Sequence, residues 1–101
     1  MYQNKVLRNV SEFINNLSNK EQGKVRLALD ALLYGHFQSV HTKMLRFPIR
    51  ELIVLNYRIL FFIESDEIYF VSAFTKKTAK TPLQEIENAL RIYHYLKNIW
   101  K

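Results

Sequence analysis

The stretch from Leu45 to Phe74 constrains the fold of this chain more than any other feature. It is rich in Ile, Leu, Val, Phe and Tyr, and it is interrupted by Pro48, by Asn56 and by the polar run at 64–67. Aliphatic and aromatic runs bounded by turn-forming residues are typical of β-strands. Three strands are therefore predicted, near residues 44–55, 57–63 and 68–74. Because the connections between them are too short for a parallel crossover, the strands are expected to form an antiparallel meander.

Apolar residues at helical spacing precede and follow this stretch. A stripe over residues 6–17 predicts a first helix, and Ser18 with Glu21 has the spacing of a capping box that opens a second helix, which Gly35 would end. Residues 36–42, including His41, are expected to form a loop. A third helix is predicted to start with Thr81 as its N-cap and Pro82 in its first turn, and its apolar stripe continues to Trp100.

These elements predict one α+β domain over residues 1–101, because a chain of 101 residues is too short to form two independent cores. The order is an N-terminal helical hairpin, a small antiparallel meander and a C-terminal helix. We expect the helices to cover one face of the sheet and the other face to be available to a ligand.

Charge and composition narrow the classes of function. Fifteen Lys and Arg against nine Asp and Glu give a formal charge of +6, which would attract nucleic acid or an acidic protein. The absence of cysteine excludes disulfides, thiolate zinc sites and a cysteine nucleophile, and two glycines are too few for a phosphate-binding P-loop. The three histidines lack metal-ligand spacing, and no apolar run reaches the ~20 residues of a membrane span. A cytoplasmic protein without a membrane partner is expected.

The segment at 74–82 is the strongest candidate for binding an anion. It contains three lysines and three threonines between a strand end and a helix start. Lysine ammonium groups, hydroxyl donors and free backbone N–H groups all favour phosphate. The alternative is a solvated loop with a threonine cap.

Arg58 is the second candidate, because it is a lone cation within the apolar run of residues 57–63. It would either contact an anion or form an ion pair with a carboxylate such as Glu51. If Glu64 and Glu67 pair across the next hairpin, Arg58 is expected to lie opposite Ala73.

Five segments form a specific combination of motifs: KML (43–45), REL (50–52), YRILFF (57–62), FTKKTAKTP (74–82) and EIENAL (85–90). On these segments the stretch from Lys43 to Lys97 resembles the RelE/ParE superfamily of bacterial toxins, in its HigB-like branch, which is also called phage Gp49-like. The resemblance implies a RelE-like fold and a toxin of a type II toxin–antitoxin system. Such toxins cut mRNA on the ribosome by attack of a ribose 2′-OH on the adjacent phosphate, without a metal or another cofactor. The implied partners are the ribosome, mRNA and a cognate antitoxin, of the helix-turn-helix HigA type.

Carried over by position, the resemblance gives Arg58 and Lys77 as the catalytic contacts with the scissile phosphate. The residues implied to bind RNA or the ribosome are Lys43, Arg46, Arg50, Lys76, Thr78 and Lys80. The general acid and base stay open, with Tyr57, Tyr69, His41 and His94 as candidates.

Two departures from the family pattern leave alternatives open. Ile53 stands where the family has a strand arginine, and a tight turn at 55–56 would place it opposite Arg58. An inactive remnant that binds only its antitoxin is therefore one alternative. The resemblance itself leaves a second alternative, a ParE-like protein that poisons gyrase without cutting RNA, because the same scaffold hosts both activities. Members of the family also often begin with a β-strand. Only a few residues precede the first predicted helix here, so this strand is expected to be absent or short.

Overall fold

The computed structural model of the chain describes residues 1–99, so Trp100, assigned above to the last helical stripe, lies outside the described residues. The elements in chain order are β1 (Gln3–Val6), α1 (Arg8–Asn15), α2 (Asn19–Leu33), a 3₁₀ turn (Phe37–Ser39), β2 (His41–Arg46), β3 (Ile49–Val54), β4 (Tyr57–Glu64), β5 (Glu67–Thr75) and α3 (Leu83–Ile99).

The strands form one five-stranded mixed sheet in the order β1-β5-β4-β3-β2. The antiparallel meander is present in β2 to β5, and the α+β class is confirmed. The predicted N-terminal helical hairpin is wrong, because β1 comes first and pairs parallel to β5. β1 is four residues long with the sequence QNKV, and its placement depends on backbone hydrogen bonds such as Gln3 N–H to the Asp66 carbonyl (2.7 Å). Such a segment has no apolar alternation from which a strand could be predicted.

The single strand predicted over 44–55 is two strands, β2 and β3, separated by a turn at Phe47 and Pro48. His41 is not in a loop as expected but begins β2, the edge strand of the sheet. The side chains of β2 are mostly exposed, with a polar composition, and this weakens the strand signal in the sequence.

Helices cover both faces of the sheet. On the α1/α2 face, α1 and α2 pack against an apolar set of strand residues: Leu52, Ile59, Phe61, Ile68 and Phe70. On the α3 face, Ala89 and Tyr93 of α3 pack against a second set: Ile49, Leu60, Phe62, Tyr69 and Val71. The prediction of one free face is therefore wrong. The central strands carry apolar side chains on both sides, and each side must be buried.

The helix ends are set by local contacts. The capping box of α2 is confirmed, since Ser18 Oγ accepts from the Glu21 N–H (3.2 Å) while a Glu21 carboxylate oxygen accepts from the Ser18 N–H (3.3 Å). Gly35 follows α2 with a positive φ of 80°, which agrees with the predicted stop. α3 starts at Leu83, one residue later than predicted, so Pro82 and not Thr81 directly precedes it, and the hydroxyl of Thr81 donates to the carboxylate of Glu51.

A β-bulge in the β4–β5 pair decides the register around Arg58. Glu64 and Glu67 pair as predicted, but the register shifts between Leu60 and Phe61, so Arg58 lies opposite Phe74 and not Ala73. The extra residue, Val71, packs in the core on the α3 face.

Candidate functional site

A row of four side chains crosses the α3 face at the end of the sheet where α3 starts. Cross-strand pairing connects His41 with Ile53, Ile53 with Arg58 and Arg58 with Phe74. Directly paired residues share a face of the sheet. The predicted position of Ile53 opposite Arg58 is therefore confirmed. His41 is exposed and the other three side chains are partly exposed, so the row is accessible to a ligand.

Arg58 is held within this row by several contacts. Its Nη1 donates to the carbonyls of Leu55 (3.1 Å) and Tyr57 (2.9 Å), and its Nε lies 4.0 Å from Oε1 of Glu51. The ion pair with Glu51, one of the two interpretations of Arg58, is thus present. The side chain keeps 14% of its surface exposed, and Nη2 has no hydrogen-bond partner among residues 1–99. A guanidinium held in this way can still donate to an anion.

Glu51 is the buried partner of Arg58. Its side chain has no exposed surface, and its Oε2 accepts the hydrogen bond from Thr81. Within residues 1–99, Glu51 Oε1 and Arg58 Nε are buried and have no hydrogen-bond partner. Burying a carboxylate costs several kcal/mol unless it is paired, so the charge of Arg58 is needed beside it.

The basic segment at 76–80 is fixed to the sheet near Arg58. The Lys76 N–H donates to the carbonyl of Asn56 in the β3–β4 turn (2.8 Å), and the Thr78 hydroxyl donates to the Lys80 carbonyl (2.7 Å). Lys77 is exposed and lines an open cleft at the outer edge of β5, together with Phe13 and Glu85. The segment is therefore solvated, as one interpretation expected, but its backbone is anchored beside the row.

The other predicted RNA-binding residues are distributed over two regions. Lys43 and Lys80 line one groove of about 290 Å³ on the α3 face. Arg46 pairs with Ile49 at the far end of β3 from Arg58, and Arg50 lies on the α1/α2 face because it pairs with Phe61. The structure therefore anchors the start of the lysine segment at the β3–β4 turn that precedes Arg58, and it places Arg46 and Arg50 apart from Arg58.

The family model described as "Phage derived protein Gp49-like (DUF891)" matches residues 12–94, which extend from α1 into α3. The chain belongs to the Gp49-like family. This family is a RelE-like toxin family associated with toxin–antitoxin systems. The matched part contains Arg58, Glu51 and the segment at 76–80, whereas β1 lies before it. None of the curated proteins matches the chain.

The candidates for proton transfer in this Gp49-like protein lie in different places. The Tyr57 hydroxyl donates to Glu21 (2.9 Å) and the ring packs on Phe13, on the opposite face from Arg58. This hydrogen bond raises the pKa of Tyr57 and is the main cause that lowers the pKa of Glu21.

Tyr69 stacks on Phe62 and donates to Glu67 (3.1 Å) near the other end of β5, while His94 contacts Tyr93 on α3. His41 is the candidate that shares the row of Arg58. Among residues 1–99, no three His, Asp or Glu side chains are grouped closely enough to hold a metal ion. No helix in this part of the chain combines the length and hydropathy needed to cross a bilayer.

Two residues of the site were missed as functional candidates in the Gp49-like sequence. The sequence predicts Glu51 only as a partner for Arg58, and Thr81 only as a helix cap. A carboxylate within the apolar strand sequence IRELIV was a usable signal, since a charge at such a position needs a partner. The contact of Glu51 with Thr81 joins residues 30 positions apart, and nothing in the sequence indicates it.

Proposed function

We propose that this Gp49-like protein is a HigB-like toxin of a type II toxin–antitoxin system, with a RelE-like arrangement, and that it cuts mRNA on the ribosome without a metal. The observation that supports this most is the placement of Arg58, which is partly exposed and oriented by contacts to Leu55, Tyr57 and Glu51, beside a lysine segment anchored at Asn56. A fixed guanidinium flanked by ammonium groups suits the phosphate of an RNA backbone.

In the proposed reaction, the ribose 2′-OH attacks the adjacent phosphorus. An O2′–P bond forms and the P–O5′ bond breaks, and the leaving O5′ takes a proton from solvent water, which gives a 2′,3′-cyclic phosphate and a 5′-hydroxyl end. Arg58 and Lys77 stabilise the charge that develops on the non-bridging oxygens. His41, which shares the row of Arg58, takes the proton from the 2′-OH.

The remaining cations bind the polyanion away from the reacting phosphate. Lys43 and Lys80 contact the mRNA backbone at their groove on the α3 face, and Lys76 contacts it beside the β3–β4 turn, with Thr78 holding the loop through the Lys80 carbonyl. Arg46 and Arg50, which lie apart from Arg58, contact ribosomal RNA. The bound antitoxin, an acidic helix-turn-helix protein of the HigA type, covers the basic surface in the cytoplasm.

Ile53 sets an upper limit on the rate. It occupies the position beside Arg58 where the resemblance leads us to expect a second arginine, so Arg58 has no arginine opposite it on β3 to share the phosphate. One lost charge-assisted donor costs about 3 kcal/mol of transition-state stabilisation, or roughly a hundredfold in rate. We therefore expect slow cleavage.

Primer extension on a defined mRNA in a reconstituted translation reaction tests the proposal. The variants are Lys77→Ala and Arg58→Lys, which keeps a positive charge beside Glu51, and Lys24→Ala is the matched control because Lys24 is exposed on α2. We expect ribosome-dependent cuts from the wild type and the control, and at least tenfold slower cuts from the other two variants.

Cuts without ribosomes, or equal rates for all four proteins, would contradict the proposal. If no cuts occur but the protein arrests growth, a gyrase-directed ParE-like activity replaces it. If growth also continues, the chain is an inactive remnant that binds its antitoxin.

A further inference from the structure

We propose that Glu51 is a positioning residue that holds Arg58 and the basic segment at 76–80 in one fixed arrangement. This inference rests on the proposed function, because the arrangement is the one that would receive the phosphate. Glu51 does not contact the RNA itself, since its side chain has no exposed surface.

Three parts of the chain meet at this carboxylate. Glu51 lies on β3, and its Oε1 faces Nε of Arg58 on β4 at 4.0 Å. Its Oε2 accepts the hydrogen bond from Thr81, which directly follows Lys80. One side chain thus connects the arginine of the sheet with the end of the lysine segment.

Stability alone does not explain a carboxylate at this place. Replacing a buried ion pair with well-packed apolar side chains is often neutral or stabilising. The neighbours of Glu51 along β3 on the same face are Ile49, which is buried, and Ile53, so an apolar residue would suit the local packing. A buried charge there is better explained by the directional contacts it makes.

The geometry of Arg58 shows what these contacts achieve. Nη1 is directed to the carbonyls of Leu55 and Tyr57, and Nε faces Glu51, so the plane of the guanidinium is defined from two sides. The 4.0 Å separation exceeds hydrogen-bond length, and neither atom has another hydrogen-bond partner among residues 1–99.

The second contact acts on the lysine segment. The Lys76 N–H is bonded to Asn56 at the start of the segment, and Thr81 is bonded to Glu51 at its end. Both ends of the segment are therefore attached next to Arg58. Loss of the Thr81 contact would free one end and misplace Lys77 relative to Arg58, and errors of about 1 Å in such geometry cost up to ~100-fold in rate.

Matched substitutions at Thr81 test this without removing the buried charge. Thr81→Val keeps the shape but loses the hydroxyl, whereas Thr81→Ser keeps the hydroxyl. We expect single-turnover cleavage at saturating ribosomes to be about tenfold slower for Thr81→Val and near wild type for Thr81→Ser. A thermal melt of each variant reports any loss of folding.

A second readout does not depend on cleavage. The Nε–H resonance of Arg58 in a ¹⁵N spectrum should shift in Thr81→Val and in Glu51→Gln, and it should stay in place in Thr81→Ser. In an Arg58→Lys background, Glu51→Gln should slow cleavage less than it does with Arg58 present, because the part of its effect that acts through Arg58 is already lost.

The outcomes separate this inference from the proposed function. If the wild type does not cut mRNA but the Arg58 resonance responds as expected, the proposed function fails while Glu51 still positions Arg58. If Thr81→Val cuts at the wild-type rate and leaves the Arg58 resonance unmoved, Glu51 is not a positioning residue. Equal loss in Thr81→Ser and Thr81→Val would also overturn the inference.

Discussion

On the α1/α2 face of the sheet the buried side chains of residues 1–99 are apolar, whereas on the α3 face two buried polar side chains, Glu51 and Ser72, lie among them. Each of the two is bonded to the polypeptide around the start of α3. Glu51 accepts from Thr81, and the Ser72 hydroxyl donates to Glu85 (2.6 Å).

The difference between the faces separates two tasks. Burial of apolar surface stabilises a fold but has no preferred direction, so the α1/α2 face contributes stability without orienting any single group. Hydrogen bonds and ion pairs depend on geometry, so the α3 face holds its helix start and Arg58 in defined positions at a desolvation cost. The candidate site lies on the α3 face, where buried polar groups are desolvated.

The largest expected effect is on the apolar face. Phe61 is fully buried there, and Phe61→Ala should lower the free energy of unfolding by about 3–5 kcal/mol, because it removes a large apolar group and leaves a cavity. Urea unfolding monitored by circular dichroism measures this. Lys24→Ala on the exposed side of α2 is the control, and a similar small change in both variants would mean that the face does not supply the stability assigned to it.

The second prediction concerns the ion pair of Glu51 and Arg58 on the α3 face. Glu51→Leu leaves Arg58 as an uncompensated, largely buried charge and should cost about 3 kcal/mol. The double variant Glu51→Leu/Arg58→Met removes both charges and should recover most of that loss. The free energies of unfolding of Glu51→Leu, Arg58→Met and the double variant, compared with the wild type, complete a double-mutant cycle. If the loss of stability in the double variant equals the sum of the losses in the two single variants, Glu51 and Arg58 do not stabilise each other as a pair.

A third, smaller effect concerns the charges around the site. Affinity for single-stranded RNA, measured by fluorescence anisotropy over a range of salt concentrations, should weaken as salt rises. Lys76→Ala and Lys77→Ala should each reduce the slope of log affinity against log salt by about 0.7, for one lost phosphate contact. Lys24→Ala, on a helix of the opposite face, should leave the slope unchanged. Equal reductions in all three variants would show that RNA binds without preference for the lysine segment.

The smallest effect belongs to the Tyr57–Glu21 hydrogen bond at the margin of the α1/α2 face. Because the pKa of Glu21 is lowered from 4.5, its contribution to stability is present above that value and is lost as pH falls through the lowered pKa. Because the pKa of Tyr57 is raised from 10.0, its contribution is present below that value and is lost as pH rises through the raised pKa.

Tyr57→Phe should therefore lower the melting temperature slightly between pH 4.5 and 10.0, and it should converge with the wild type as pH falls through the lowered pKa of Glu21 or rises through the raised pKa of Tyr57. Cleavage should not change, since Tyr57 and Arg58 point to opposite faces of the sheet. A fall in cleavage without a change in melting temperature would assign Tyr57 to the site after all.

The local features of the fold could be predicted from the sequence. The capping box at Ser18, the stop at Gly35 and the pairing of Ile53 with Arg58 each depend on residues close together in the chain. Arg58 and the lysine segment stood out for a similar reason, since a cation within an apolar run and a cluster of lysines need no tertiary contact to be noticed.

Contacts distant in sequence were decided by the tertiary structure. The parallel pairing of β1 with β5 uses backbone groups and leaves no side-chain pattern, and the bulge opposite Leu60 and Phe61 shifts the partner of Arg58 by one residue. The sequence by itself determined the helices after β1, the meander and the basic segment, because hydrophobic period, capping and turn chemistry act over a few residues. Only the tertiary structure placed α3 on the second face and brought Thr81 to Glu51, because burial of both faces and pairing of a buried charge depend on which distant residues meet.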